Sequence, residues 1–129
     1  SDYRNHVFAH SKKLIDSISG KVPIIHFGTG NPSLLPLMTE AGGDVMALDW
    51  RAPLKESWDL LACKAVQGNM DPIALFGSVD SVRETAESIL EEVGGRPGHI
   101  FNLGHGILPE TPVENVKALV EFVQGYEIS

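Results

Sequence analysis

The residues best suited to chemistry stand in one segment, FNLGHGILPETPVENVKALVEFV, which runs from residue 101 to residue 123. It places His105 between Gly104 and Gly106, after an apolar stretch and before a proline turn. A neutral imidazole both donates and accepts hydrogen bonds and changes charge near pH 7, and flanking glycines let a ligand approach the backbone closely. A histidine that satisfies a loop carbonyl would fit the same pattern, so both interpretations of His105 stay open.

Further polar residues stand where other apolar stretches end, and they are His26, Asp49, Gln67, Asn69 and Asn102. The apolar run around His26 favours a half-buried histidine hydrogen-bonded to a neighbouring strand. The opposite charges of Asp49 and Arg51, two residues apart, favour an ion pair that fixes a loop. Asn69 and Asp71 are expected to hold backbone in turns, whereas Gln67 could point inward.

Alternating strands and helices are predicted to position these residues. The predicted strands are 22–27, 44–50, 64–70 and 99–105, and the predicted helices are 2–19, 33–41, 53–61, 81–93 and 112–124. The strands are apolar without strict alternation, which is typical of parallel strands covered on both faces. The helix 81–93 carries glutamates expected to face solvent. Ligands of such sheets bind at the carboxyl ends of the strands.

This alternation predicts an α/β fold of about four βα units. A complete (β/α)8 barrel needs about 250 residues, so residues 1–129 are expected to form about half of one as a single unit. The start on a helix suggests that the chain begins in the middle of something larger. A small flavodoxin-like sheet is the structural alternative.

Composition narrows the functional classes. The 129 residues are 43% hydrophobic and carry a net charge of −7, with scattered basic residues, so nucleic-acid binding is not expected. No apolar run reaches the roughly 20 residues of a membrane span, and no secretory signal is visible. One cysteine, Cys63, which is expected on a helix, excludes an internal disulfide and a multi-cysteine zinc site. Cytoplasm is the default location.

Known catalytic and cofactor motifs are missing from the sequence. The FGTGN stretch lacks the full G-x-G-x-x-G pattern, which disfavours NAD binding. We find no nucleophile elbow, phosphate loop or paired metal motif. The sequence therefore predicts a cofactor-independent reaction, or a site completed by residues outside this chain.

Four segments resemble successive parts of the uroporphyrinogen decarboxylase family: VPIIHFGTG, GDVMALDWR, VQGNMDP and GGRPGHIFNLGHGILPETPVENVKALVEFV. The resemblance covers nearly the whole chain, and NLGHGILPETP is its most specific part. It implies the C-terminal half of a TIM-like barrel. The family's enzymes remove the acetate carboxyl groups of uroporphyrinogen III to give coproporphyrinogen III, without a metal or an organic cofactor.

The resemblance also implies roles for residues and partners. The family's substrate-contacting histidine maps onto His105, whereas its arginines, aspartate, tyrosine and serine have no match in this chain. No catalytic, cofactor or metal residue is therefore assigned, and the chain alone is expected to be inactive. The implied partners are a tetrapyrrole substrate, the missing N-terminal barrel half and a second copy in a homodimer.

Two alternatives stay open beside this interpretation. A stand-alone half-barrel would have two unpaired strand edges and could act as a binding or assembly module. Cobamide-linked methyltransferases share the barrel but typically bind zinc through a His-x-Cys pair and a further cysteine. Here the corresponding stretch reads His26-Phe27-Gly28, so a zinc–thiolate site is not expected.

Overall fold

The computed structural model describes residues 1–30, 32–61 and 63–127, and its four strands form one parallel sheet. The strands are β1 (Ile25–Phe27), β2 (Val45–Ala47), β3 (Val66–Gln67) and β4 (His99–Ile100), and they pair in chain order. Each connection carries a helix, as parallel pairing requires. The predicted four βα units are confirmed. The ladders are shorter than predicted because the chain departs from extended geometry at the polar tips, for example at Gly68, whose φ is +134°.

The described part of the chain contains six α-helices. They are α1 (Asp2–His6), α2 (Phe8–Ile18), α3 (Leu35–Ala41), α4 (Leu54–Leu61), α5 (Val79–Val93) and α6 (Val113–Gly125). Short 3-10 helices, Pro32–Leu34 and Pro72–Phe76, precede α3 and α5. The Ser78 hydroxyl accepts from the backbone N–H of Ser81 to begin α5, and Gly94 ends it with a φ of +59°. The predicted ends of α5 and α6 agree within two residues.

Two local predictions were wrong. The first predicted helix is broken at Val7, whose φ of −119° lies outside the helical range. Of α1 and α2 only Ile15 is buried, so little packing holds Val7 in a helical conformation. Cys63 does not lie on a helix, because α4 ends at Leu61. Cys63 instead lies in the connection to β3, where its carbonyl accepts a hydrogen bond from Trp58 Nε1 at 3.1 Å.

The strand register defines two faces of the sheet. Side chains alternate along a strand, so one row contains His26, Met46, Val66 and His99, and the next contains Phe27, Ala47, Gln67 and Ile100. We call the face of the first row the outer face and that of the second row the inner face. The glutamates Glu84, Glu87, Glu91 and Glu92 of α5 are exposed, as predicted.

Helices cover the outer face only. Met46 and Val66 pack there in a cluster with Leu35, Met38 and Trp58, together with Leu48, Ala52, Leu54 and Leu61. A second cluster joins α5 and α6 and contains Met70, Leu75, Val82, Ala86 and Leu119. The prediction that the strands are covered on both faces therefore holds for one face within the described residues. None of the helices described is long and apolar enough to cross a membrane.

Candidate functional site

A cavity of about 370 Å³ lies on the inner face, where the strands end. We call it the strand-end cavity; its lining residues are Phe27, Ala47, Leu48, Gln67, Asn102, Leu103, His105, Gly106 and Ile107. The lining is largely apolar with a few polar groups, which is the usual character of a ligand pocket. Three of the polar residues that the sequence singled out, Gln67, Asn102 and His105, are brought together here.

His105 makes the bond to a loop carbonyl that one of the two interpretations expected. The ring is half-buried in the loop after β4, and Nδ1 lies 3.2 Å from the carbonyl oxygen of Gly106. A carbonyl can only accept, so Nδ1–H is the donor of this bond. Nε2 has no hydrogen-bond partner among the residues that the structure describes. In the imidazolium form Nε2–H would donate to a carboxylate of a ligand in the cavity.

The glycines beside His105 have different surroundings. A Cβ on Gly104 would overlap the backbone nitrogen of Trp50, whereas a Cβ on Gly106 would meet nothing within 4 Å. The expectation that both glycines admit a ligand is therefore wrong for Gly104, because the group that approaches it is the Trp50 backbone. Gly104 lets the loop after β4 pack directly on the loop after β2. Gly106 leaves open space next to the imidazole.

Asp49 is the best-connected polar residue near the strand ends. The residue is 3% exposed, and its carboxylate accepts hydrogen bonds from the Thr29 hydroxyl, from the Gly30 N–H at 3.3 Å and from the Arg51 N–H at 2.9 Å. Arg51 Nη1 lies 3.0 Å from both carboxylate oxygens. Burial acts to raise the pKa of Asp49, but the hydrogen bonds from Thr29 and Arg51 outweigh it and hold the pKa below its ordinary value. The predicted Asp49–Arg51 ion pair is confirmed.

Asn69 connects the loop after β3 to the same region. Its buried amide donates to the backbone carbonyls of Asp49, at 3.1 Å, and of Ala52. The peptide bond between Gly68 and Asn69 is cis. The predicted turn role of Asn69 is thus confirmed, as is that of Asp71, which accepts from the Ile73 N–H at 2.9 Å and caps a 3-10 helix.

Residues 49–52 therefore hold all four strand-end loops together. The loop after β1 binds the Asp49 carboxylate, the loop after β3 binds its carbonyl through Asn69, and the loop after β4 packs on Trp50 through Gly104. Asp49 does not itself line the strand-end cavity. Its contribution is to position the loops that do, including the loop that carries His105.

The strand histidines His26 and His99 lie on the outer face, away from the cavity. His26 is half-buried as predicted, but its Nδ1 donates to the Gly42 carbonyl at 2.9 Å, in the turn before β2 rather than in a strand. His99 was not singled out from the sequence. Its Nε2 donates to the Gly68 carbonyl at 2.7 Å, and its ring lies 6.4 Å from that of Trp58. Burial lowers the pKa of His99, although the bond to Gly68 opposes this shift.

The chain's metal-binding residue types are dispersed in the described part of the structure. No group of three His, Cys, Asp or Glu side chains there is placed to hold an ion. His26 Nδ1 is engaged with Gly42, and burial raises the pKa of the Cys63 thiol, which favours its protonated form. Cys63 also precedes β3 and therefore lies at the amino edge of the sheet, opposite the cavity. The residues present do not fit a zinc–thiolate site.

The sheet, its outer helices and its strand-end cavity define part of a TIM-like barrel. A solved methyltransferase from Methanosarcina mazei superimposes with a TM-score of 0.78 at 24% identity, over 95% of this chain and 36% of that one. At this identity the likeness establishes the fold alone. The predicted partial barrel is confirmed, and the flavodoxin-like alternative falls away.

The sequence comparisons identify the family. The model of the uroporphyrinogen decarboxylase (URO-D) family matches residues 1–126, and the chain belongs to this family. Uroporphyrinogen decarboxylases from Koribacter versatilis and Solibacter usitatus are 52% and 50% identical, each over 97% of this chain. One from Thermus thermophilus is 50% identical over 96% of it. The chain spans only 36% to 37% of the length of these relatives.

Proposed function

We propose that this chain forms the C-terminal part of a uroporphyrinogen decarboxylase barrel and provides one wall of its substrate pocket. The reaction is removal of the acetate carboxyl groups of uroporphyrinogen III to give coproporphyrinogen III. The supporting observation is that a chain about 50% identical to these decarboxylases along its length has an uncharged cavity at the strand ends, with His105 in it.

His105 is the substrate-binding residue in this proposal. Its Nδ1 is fixed by the Gly106 carbonyl, so the ring direction is set, and Nε2 is left to bind a carboxyl group of the substrate. Gly106 keeps the space beside the ring open. The cavity volume of about 370 Å³ is near the lower end of the range of about 300–1,000 Å³ for ligand pockets. A volume of this size accommodates one part of a macrocycle rather than all of it.

The remainder of the pocket belongs to polypeptide that this chain does not contain. The chain carries a net charge of −7, and no Lys or Arg lines its cavity, although the substrate bears eight carboxylates. The cations that neutralise them come from the other barrel half. Ile25, Phe27 and Ile100 on the inner face are 49%, 46% and 43% exposed, as expected of a barrel interior without its second half. A cytoplasmic homodimer completes the proposal.

The test uses the chain completed with the N-terminal portion of the Koribacter versatilis relative. We expect this completed barrel to convert uroporphyrinogen III to coproporphyrinogen III. Chromatography of the oxidised porphyrins measures the conversion. His105→Asn should lower turnover while the circular dichroism and Tm stay unchanged. His10→Asn, on exposed α2, is the matched control.

Two results would contradict the proposal in different ways. Wild-type rates in His105→Asn would remove His105 from the site. A completed barrel that is folded but turns over no substrate would refute the decarboxylase assignment. The 129-residue chain alone should be inactive, because acid–base chemistry needs groups within hydrogen-bond reach of the reacting atom.

The second candidate is a non-catalytic assembly module. The observation that favours it is the apolar inner face, together with the open edges of β1 and β4 in the described sheet. Sedimentation distinguishes the candidates: a stable self-assembled oligomer that binds no porphyrin favours the module. A chain that associates with an N-terminal barrel half and then turns over substrate favours the decarboxylase.

A further inference from the structure

The strand-end cavity contains one more polar side chain whose presence the fold does not explain. Gln67 ends β3 and points to the inner face, in the register row between Ala47 and Ile100. Neither atom of its amide has a hydrogen-bond partner in the described part of the chain. Its surroundings in the cavity include the apolar side chains of Phe27 and Leu48.

Other amides of this chain have a different environment. Asn69 donates to two backbone carbonyls, and Asn115 donates to the carbonyls of Leu75 and Gly77 at 2.8 Å and 2.9 Å. Asn102, at the cavity, uses its Oδ1 to accept from the N–H of Leu103. The NH₂ groups of Asn69 and Asn115 are thus satisfied from within the chain, whereas the Gln67 amide has no partner in the described residues.

An unpaired polar group among apolar side chains is costly when it is fully buried, and the half-buried Gln67 carries part of that cost. The interior of a barrel is ordinarily filled by branched apolar residues such as leucine and valine. Within the described residues, a glutamine at this position therefore loses packing without gaining a hydrogen bond. A ligand that enters the cavity and bonds to the amide would offset that loss.

The cavity's chemistry indicates which ligand group this is. Gln67, Asn102 and His105 are its polar side chains, and no Lys, Arg, Asp or Glu lines it. The periphery of a uroporphyrinogen consists of carboxylate arms, so an arm is the part of the substrate that a side chain of the pocket wall can reach. A carboxylate accepts hydrogen bonds and cannot donate them, so the amide N–H group is the partner it requires.

We propose that the Gln67 amide donates a hydrogen bond to a carboxylate of the substrate and orients, together with His105, the arm that enters the strand-end cavity. This inference rests on the proposed function. It makes Gln67 a second substrate-binding residue of the wall. It also predicts that the amide nitrogen, rather than the amide oxygen, makes the contact.

Two nearly isosteric variants of the completed barrel test this assignment. Gln67→Leu removes the donor and should raise KM at least about tenfold with little change in kcat, because a hydrogen bond to a charged group is lost; tenfold corresponds to about 1.4 kcal/mol. Gln67→Glu replaces the donor with an acceptor of negative charge and should raise KM further. Gln124→Glu, exposed on α6, is the control for the added charge and should leave KM unchanged.

A second measurement uses the completed barrel with its wild-type sequence and needs no substitution. On titration with uroporphyrin III, the side-chain NH₂ resonances of Gln67 should shift in a ¹⁵N-correlated NMR spectrum. Those of Asn69 and Asn115 should stay in place, because both amides are bonded to backbone carbonyls.

The outcomes separate the inference from the proposed function. Wild-type KM in both Gln67 variants, or a Gln67 resonance that does not move while the wild type turns over substrate, overturns the role of Gln67 and leaves the decarboxylase intact. A Gln67→Glu variant that binds more tightly than wild type also overturns it, since the amide oxygen would then accept from a pyrrole N–H. A wild-type barrel without turnover or porphyrin binding refutes both.

Discussion

The two faces of the same four-stranded sheet differ sharply in what covers them. On the outer face Val66 and Met46 are 0% and 3% exposed beneath the helices. On the inner face, one residue further along each strand, Phe27 and Ile100 are 46% and 43% exposed. The residue types do not explain the difference, whereas strand position contributes to it: Phe27 and Ile100 lie on the edge strands, and Ala47 of the central strand β2 is only 3% exposed on the inner face.

The contrast separates stability from function. The free energy of the fold comes chiefly from the outer face, since hydrophobic stabilisation scales with the apolar area removed from water. The inner face contributes less to folding and contains the uncharged cavity with Gln67 and His105. Substitutions on the outer face should therefore lower the free energy of unfolding, and substitutions on the inner face should lower the affinity for a ligand.

The largest expected effect is that of Trp58→Ala on the outer side. The side chain is 1% exposed, Nε1 donates to the Cys63 carbonyl at 3.1 Å, and the Arg96 guanidinium lies 4.0 Å from the ring centroid. We expect a loss of about 3–5 kcal/mol in the free energy of unfolding, measured by guanidinium denaturation. Phe27→Ala on the inner face should cost about 1 kcal/mol. Equal losses would show that both faces are packed in solution.

Asp49→Ala should have the next largest effect, because it frees the strand-end loops from one another. It leaves the N–H groups of Gly30 and Arg51 and the Thr29 hydroxyl without their shared acceptor. We expect the free energy of unfolding to fall by about 2–3 kcal/mol. Asp49→Asn keeps one acceptor oxygen and should cost less. In the completed barrel, Asp49→Ala should also weaken porphyrin binding, measured by fluorescence titration. Unchanged affinity would mean that the loops keep their positions without Asp49.

The pair Gly104→Ala and Gly106→Ala tests the two sides of the His105 loop. A methyl group on Gly104 overlaps the Trp50 backbone, so the two loops must move apart, which should lower the free energy of unfolding by about 1–3 kcal/mol. Gly106, by contrast, has open space around it. Thermal unfolding should show a lower Tm for Gly104→Ala alone. Gly106→Ala should leave Tm unchanged and reduce binding only in the completed barrel. A destabilising Gly106→Ala would contradict the assignment of that space to a ligand.

The sequence predicts the features that depend on local pattern. Apolar runs separated by amphipathic stretches predicted the four βα units, and Gly94 predicted the end of α5. The spacing within DWR predicted the Asp49–Arg51 pair because its members are two residues apart. The inward direction of Gln67 followed from its place at the end of a strand. Each of these inferences needs only residues that are neighbours in the chain.

Long-range contacts account for what the sequence could not predict. Gly104 looked like a ligand-facing glycine because nothing in its neighbourhood points to Trp50, 54 positions earlier in the numbering of the sequence. The hydrogen bond from His99 to Gly68 likewise depends on the register between β3 and β4. Alternation along HIF places His99 and Phe101 on one face, and this signal could have identified His99 as a helix-facing residue.

The smallest expected effect is a pH dependence from His99 on the outer face. Burial lowers the pKa of its imidazole below the ordinary value of 6.5, so the unfolded chain takes up a proton at a pH where the folded chain does not. The free energy of unfolding should therefore be highest above pH 6.5 and fall as the pH drops toward the folded-state pKa. One proton limits the slope to about 1.4 kcal/mol per pH unit.

Urea denaturation at several pH values between neutral and mildly acidic measures this slope. His99→Gln keeps a donor for the Gly68 carbonyl but does not titrate, so its slope should be shallower than that of the wild type. His10→Gln, at an exposed position of α2, is the matched control for the loss of a histidine. Equal slopes in the wild type and His99→Gln would mean that water reaches the His99 ring. The outer face would then be less closed than its packing around Trp58 indicates, and the contrast between the two faces would weaken.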